Sequence, residues 1–340
     1  MHNQNTISIA KIDDADEIMK FIDNEWKKGH ILGISKDYFL YEYKNKDHLN
    51  FVISKNQTNK INGILGFIKS SSDDNATVWT TMWKVSKSSG SPMLGVDILN
   101  FLRRQGFKTV MSLGINLKTE EIYNYLGFNV GIMNHHFVLS PDKTVFRIAK
   151  VPSRICGKNM NSASTISYKL ITKSDLDHLD TSRIYLHQIP SKSDTYIVNR
   201  FMNHPIYKYH VYAITDADQV LAICVIRPVF QDRSIVLRFV DFMGTNDVFA
   251  LLGQFVHSLL DEYEAEYLDF YSHGIPIECI EKAGFLNRQE YDDLIIPNYF
   301  EPFERKNVDL RYAYEITESQ EDVRLFKSDG DQDRPSIISV

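Results

Sequence analysis

The sequence predicts an α/β protein built as two tandem copies of one fold. Three observations carry this. The chain has 340 residues, too many for one typical domain and suited to two. A strand, two helices, three strands, then helix, strand, helix, strand can be followed to about residue 150, and the same order returns after it. Leu126-Gly127-Phe128 ends the last helix of the first half as Ala283-Gly284-Phe285 ends that of the second.

The elements follow from local chemistry. Residues 6–11 alternate as a strand. Residues 13–29 carry Ile18, Phe21, Ile22 and Trp26 at helical spacing behind an aspartate-rich start. Residues 35–44 form a second short helix, and strands follow at 49–55, 61–71 and 76–86, the first two joined by a polar hairpin, Asn-Gln-Thr-Asn-Lys. Residues 93–106 form an amphipathic helix ending at Gly106, where a glycine cap belongs. A strand at 107–115, a helix from Asn116 and a strand at 130–140 complete the first copy, residues 1–150. Residues 151–163 have no period and are expected to be a linker. In the second copy, residues 164–317, a strand and two short helices precede a hairpin around Thr215-Asp216-Ala217-Asp218. After it come a strand at 234–244, one long helix at 246–264, a strand at 265–273, a short helix and two last strands at 294–303 and 310–316. Residues 318–340 are expected to be an acidic, solvated tail. Asp329, Asp331 and Asp333 alternate there as in a calcium loop, but the distal glutamate such a loop needs is missing.

Composition narrows the function. With 43% apolar residues, 20 Phe and 18 Tyr, the chain can bury a real core. Its net charge of -6, without a basic stripe, argues against a nucleic-acid partner. Cys156, Cys224 and Cys279 are far apart and in no metal-ligand spacing, so reduced thiols and no metal are expected. The N-terminus lacks the pattern of a secretory signal and no window reaches the length of a membrane span, so a cytoplasmic protein is expected.

Asn116, Tyr123 and Gly127-Phe128 stand at offsets of seven and four residues. A second stretch, Lys87-Ser88-Ser89-Gly90-Ser91-Pro92, opens the amphipathic helix; a glycine loop at a helix start offers free backbone N–H groups and a positive dipole end to phosphates. In element order and in these two motifs the chain resembles the GNAT superfamily, the Gcn5-related N-acyltransferases. The resemblance implies two tandem domains, each a central mixed sheet flanked by helices. It implies acetyl-CoA or another acyl-CoA as co-substrate, held by Val85, Lys87, Ser88, Ser89, Gly90, Ser91, Asn116 and Tyr123. Asn116 would hold the pantetheine side and Tyr123 would protonate the departing thiolate, a role its phenol suits. Lys87 and Pro92 depart from the glutamine or arginine and the glycine or alanine of the family's loop.

The acceptor would be an amine, which must lose a proton before attack. His135 and His136 alternate on the strand after Tyr123, so one of them should face inward; His136 is taken as a catalytic candidate, with Glu25, His30 and Asp37 as further bases. His30, Tyr38, Trp79 and Trp83 are the candidate acceptor-binding residues. The tail is similar to those of acyltransferase-like proteins of bacterial surface-polysaccharide synthesis, which implies an amino sugar, free or nucleotide-linked; oligomers are compatible with all of this. The second copy has no cation at the start of its loop, and Ile280 and His273 at the tyrosine and asparagine positions, so it is expected not to catalyse. Two alternatives stay open: a non-catalytic binding or scaffold protein that has lost CoA, and a tRNA-dependent aminoacyl transferase, which should show a basic groove.

Overall fold

The computed structural model describes residues 5–71, 76–157, 166–185, 188–217, 219–316 and 323–337. It divides into two compact units, each built on a mixed eight-stranded sheet flanked by helices.

In the first unit the sheet runs Thr6–Lys11, His48–Lys55, Ile61–Lys69, Thr77–Val85, Thr109–Leu113, Arg311–Ile316 and Asn129–Ile132, with Lys44–Asn45 added beside the second strand. Neighbours pair antiparallel through the first four strands; Thr77–Val85 and Thr109–Leu113 are parallel. Helix Leu94–Arg103 buries Leu94, Ile98, Leu99 and Leu102 on one stripe against Val52, Leu65, Val78 and Val110 of the sheet. It starts two residues after Pro92, with Met93 as its N-cap, so Pro92 precedes the helix rather than opening it.

The second sheet repeats that order with Ser167–Leu170, His210–Asp216, Gln219–Gln231, Ser234–Gly244, Tyr267–His273, Asn134–Leu139 and Leu286–Asn287, and again the fourth and fifth strands are parallel. Helix Gly253–Glu262 covers it with Phe255, Val256, Leu259 and Leu260. The single helix expected at 246–264 is two. The amides of Leu251 and Leu252 bond three residues back and tighten the chain just before Gly253. The strand expected at 294–303 is only a two-residue ribbon, Tyr299–Phe300 against Phe303–Glu304.

The boundaries expected at 150 and 164 are not those of the compact units. The first unit comprises residues 1–130, 312–319 and 330–340, and the second 131–311 and 320–329. The cause is a reciprocal exchange of strands. The run 130–140 looks continuous in sequence but breaks at Met133: Asn129–Ile132 stays in the first sheet, while Asn134–Leu139 pairs with Tyr267–His273 in the second. In return Arg311–Ile316 pairs with Thr109–Leu113 in the first sheet, tied further by Glu315, which accepts two bonds from the Arg103 guanidinium. Part of the expected linker is also packed. Ile155 lies in a cluster with Ile148, Phe137 and Val236, and Lys150 bridges Ile295; residues 158–163 lie outside the described residues.

The acidic tail is not solvated. Among its described residues Arg324, Leu325, Phe326, Lys327, Ser328, Asp329 and Asp333 are all buried. Leu325–Phe326 is a strand on Tyr267–His273, and Ser328 N donates to Val240 O. The parallel ladder of the second sheet ends at Phe239 and Phe270. The tail therefore enters where those two strands part and bonds to both.

Candidate active site

In the first sheet the parallel ladder ends one strand-length short. Thr80 pairs with Ser112, yet the first strand continues to Val85. A bulge between the registers Leu65–Trp83 and Phe67–Thr80 bends it at this point. The two strands part into a fork, with Thr81–Val85 on one arm and Leu113 to Asn116 on the other. Leu113 O on one arm accepts from Gln332 Nε2, and the Thr81–Val85 arm is the one whose edge an extended ligand could follow.

Tyr123 stands at the crotch of this fork. Its ring, 1% exposed, packs edge-on against Phe128 at 4.8 Å between centroids and lies 5.5 Å from Trp83. Its hydroxyl pairs with Thr80 Oγ1 at 2.8 Å and also with Ser112, the two residues that close the ladder. Burial raises the phenol's pKa, against the pull of those two hydroxyls, so it keeps its proton at neutral pH. Thr80 and Ser112 were not singled out by sequence reasoning, because only the strand register brings them to the tyrosine.

Asn116 is the N-cap of helix Leu117–Tyr125. Its Oδ1 accepts from Thr119 N at 3.1 Å, which leaves the amide nitrogen as the group able to donate to a ligand. The loop after the first arm begins with Ser86, whose hydroxyl accepts from Ser88 N and pairs with Ser88 Oγ at 2.9 Å. Lys87–Ser89 make one turn of 3-10 helix, and Gly90 follows at φ +65, a conformation that favours glycine. Lys87, Ser88 and Gly90 are exposed, and Val85, Ser89 and Ser91 partly so. No side chain caps helix Leu94–Arg103 at Met93. A ten-residue helix without a side-chain cap, behind an exposed Ser/Gly loop with a lysine, fits the pyrophosphate of a CoA.

The other expected site residues are placed differently. Trp79 is fully buried on a central strand and offers no face for stacking. Trp83 turns its indole N–H to Gly95 O at 3.1 Å, which joins the fork's arm to the helix. His30 is buried; its Nδ1 accepts from Leu32 N, and burial, helped by the Arg334 and Lys27 charges, lowers its pKa to about 3, so it serves as a cap and not as a base. Tyr38 is buried beside Tyr41 at 5.9 Å. Both His135 and His136 are buried, so neither faces solvent, and their strand belongs to the second sheet rather than to Tyr123's unit. His135 lies 3.4 Å from Asp269, which is held by Arg238, and stacks on Tyr271 at 3.9 Å. Burial, with His135 alongside, lowers His136 to about 4. In the second unit Ile280 is a core residue and His273 lies on the arm that pairs with the tail.

No group of three or more metal-ligating side chains occurs among the described residues, and no helix there is long and apolar enough to cross a membrane. No protein-family model and no curated protein matches the sequence. Solved structures do match in fold. A GCN5-related N-acetyltransferase from Anabaena variabilis superposes with a TM-score of 0.56 at 9% identity, over 93% of this chain and 73% of its own. A probable N-acyltransferase from Enterococcus faecalis gives 0.55 at 8%, over the same shares. The glucosamine N-acetyltransferase region of a fungal multi-domain beta-N-acetylglucosaminidase gives 0.50 at 12%, over 93% of this chain and 38% of that one. The chain therefore has the fold of the GCN5-related N-acetyltransferases.

Proposed function

We propose that the first unit is an N-acyltransferase that moves an acyl group from acyl-CoA directly to an amine. The observation that carries this is the Tyr123 hydroxyl, held by Thr80 and Ser112 where the two parallel strands part. Acyl-CoA would lie in the fork, its pantetheine along Thr81–Val85 and near Asn116, its pyrophosphate at Lys87–Ser91 and the N-terminus of helix Leu94–Arg103. Bound there it supplies the activated acyl group. Tyr123 would hold a proton ready for the departing sulfur, and its raised pKa suits a donor. Direct transfer fits the placement of the thiols, because Cys156, Cys224 and Cys279 all belong to the second unit and none to that of Tyr123.

An amino sugar, free or nucleotide-linked, is the acceptor class we favour. The fold similarity to a glucosamine N-acetyltransferase region supports it, as does the resemblance of the tail to those of surface-polysaccharide proteins. The test is a panel of glucosamine, galactosamine and nucleotide-linked amino sugars incubated with acetyl-CoA and read by product mass. Gain of one acetyl group on an amino sugar is the expected result. Acetyl-CoA binding without transfer to any amine would instead favour a non-catalytic binding protein.

A further inference from the structure

A segment near the C-terminus lies across the fork of the first unit. Gln332 Nε2 donates to Leu113 O at 3.1 Å, on one arm just past the ladder. Its seat depends on Gly114: a Cβ there would meet the Gln332 side chain at 2.2 Å. On the other arm, Arg334 Nη1 lies 3.4 Å from Tyr43 Oη, which pairs with Thr81 Oγ1 at 3.0 Å. Ser336 O accepts from Ile31 N at 3.1 Å.

Arg334 occupies what is chemically a cation site. Its side chain is 7% exposed. The Trp26 ring, itself braced edge-on by His30 at 4.7 Å, has its centroid 5.9 Å away. Asp331 pairs with the guanidinium at 2.9 Å, the Glu42 carboxylate adds a favourable charge, and the Tyr43 hydroxyl lies against it, with Tyr38 nearby. Aromatic faces with a carboxylate recognise ammonium and guanidinium groups in general. Four of these partners, Trp26, Tyr38, Glu42 and Tyr43, belong to the helices near the N-terminus. Only Asp331 travels with the segment.

We propose that Asp331–Ser336 is a removable strap and that Arg334 stands in for the acceptor: the pocket of Trp26, Tyr38, Glu42 and Tyr43 takes the substrate's protonated amine when the strap leaves. This rests on reading the first unit as an N-acyltransferase; it adds the charge of the acceptor and a gate beside Thr81. Binding of an external cation then requires displacement of Arg334, so apparent affinity is reduced by the small fraction of open protein.

The probe is methylguanidinium, titrated into the full chain and into Arg334→Ala, with acetyl-CoA titrated in parallel. The variant should bind methylguanidinium about ten-fold more tightly, and adding Glu42→Gln should remove that gain. Acetyl-CoA should bind all three proteins, and no more weakly in the variants than in the unaltered chain, so failure of the cofactor reading would show separately. A folded Arg334→Ala without the gain would overturn the strap and make Arg334 part of the fixed wall. Should that variant not fold, hydrogen exchange on the unaltered protein decides. Millimolar methylguanidinium should speed exchange at Ile31 N and leave Leu65 N in the central strand unchanged; equal rates with and without it would overturn the proposal.

Discussion

Lys192→Ala is expected to destabilise the protein by about 3–5 kcal/mol, because it leaves two buried carboxylates facing each other. Lys192 is 0% exposed, as are both its partners. Its ammonium sits 2.6 Å from each oxygen of Asp241 and 2.8 Å from Asp329. Burial works against that charge, but the two carboxylates outweigh it and raise the lysine's pKa. Asp241 also accepts from Ser328 Oγ and Asp329 from Phe326 N, both at 2.8 Å, so the cluster ties the tail into the second sheet. Without the lysine the tail should be the first element to open, seen as faster exchange at Phe326 N and Ser328 N. The pH dependence has a definite sign. Burial raises Asp329 to about 6 even with Lys192 beside it. A carboxyl raised above its unfolded value stabilises at low pH and loses that contribution as pH rises through the folded pKa. The deficit of the variant, from denaturant unfolding, should therefore be larger near neutral pH than near pH 5, and Asp329→Asn in the same chain should recover part of it. An unchanged midpoint would mean that the cluster contributes nothing net.

Tyr123→Phe should lower turnover by about 100-fold or more while acyl-CoA binding is kept, the range expected when a positioned proton donor is removed. The ring stays in the cluster with Trp83 and Phe128, so the core is preserved. The lost hydroxyl leaves Thr80 Oγ1 and Ser112 with one partner fewer, which should cost about 1–2 kcal/mol of stability. The two effects separate cleanly, since a stability change alone does not alter the turnover of the folded fraction. Unchanged turnover would remove Tyr123 from the chemistry and leave it a brace across the fork.

The repeated element order was legible because it rests on local signals: amphipathic periods, glycine caps and polar hairpins. The strand exchange was not. Residues 130–140 read as one strand with no proline or turn dipeptide at Met133, and which strand pairs with which is a long-range choice that one sequence does not display. The tail was misjudged for a related reason. Its aspartates look solvated until Lys192 and Arg334 are found beside them. At the candidate site the sequence placed Tyr123 and Asn116 on one helix and Gly90 at another helix's start, and the fold keeps those positions. Trp79 was drawn in by its side-chain type and His136 by its alternation with His135 on the strand after Tyr123, and each occupies a buried strand position where packing decides its role. Thr80, Ser112, Gln332 and Arg334 emerge only from the register and the folded tail.

The most direct test of the central claim is an isothermal titration of the full chain with acetyl-CoA, repeated with Gly90→Asp. The proposed place for the cofactor in the first unit's fork is the Thr81–Val85 arm, because Gln332 already holds Leu113 O on the other; in the second sheet the tail bonds to the backbone of both parting strands, through Leu325–Phe326 and Ser328. The expected result is one site per chain, lost when a carboxylate and a side chain are placed at the positive-φ loop position. No binding, or binding that Gly90→Asp leaves untouched, would contradict a cofactor site in the first fork.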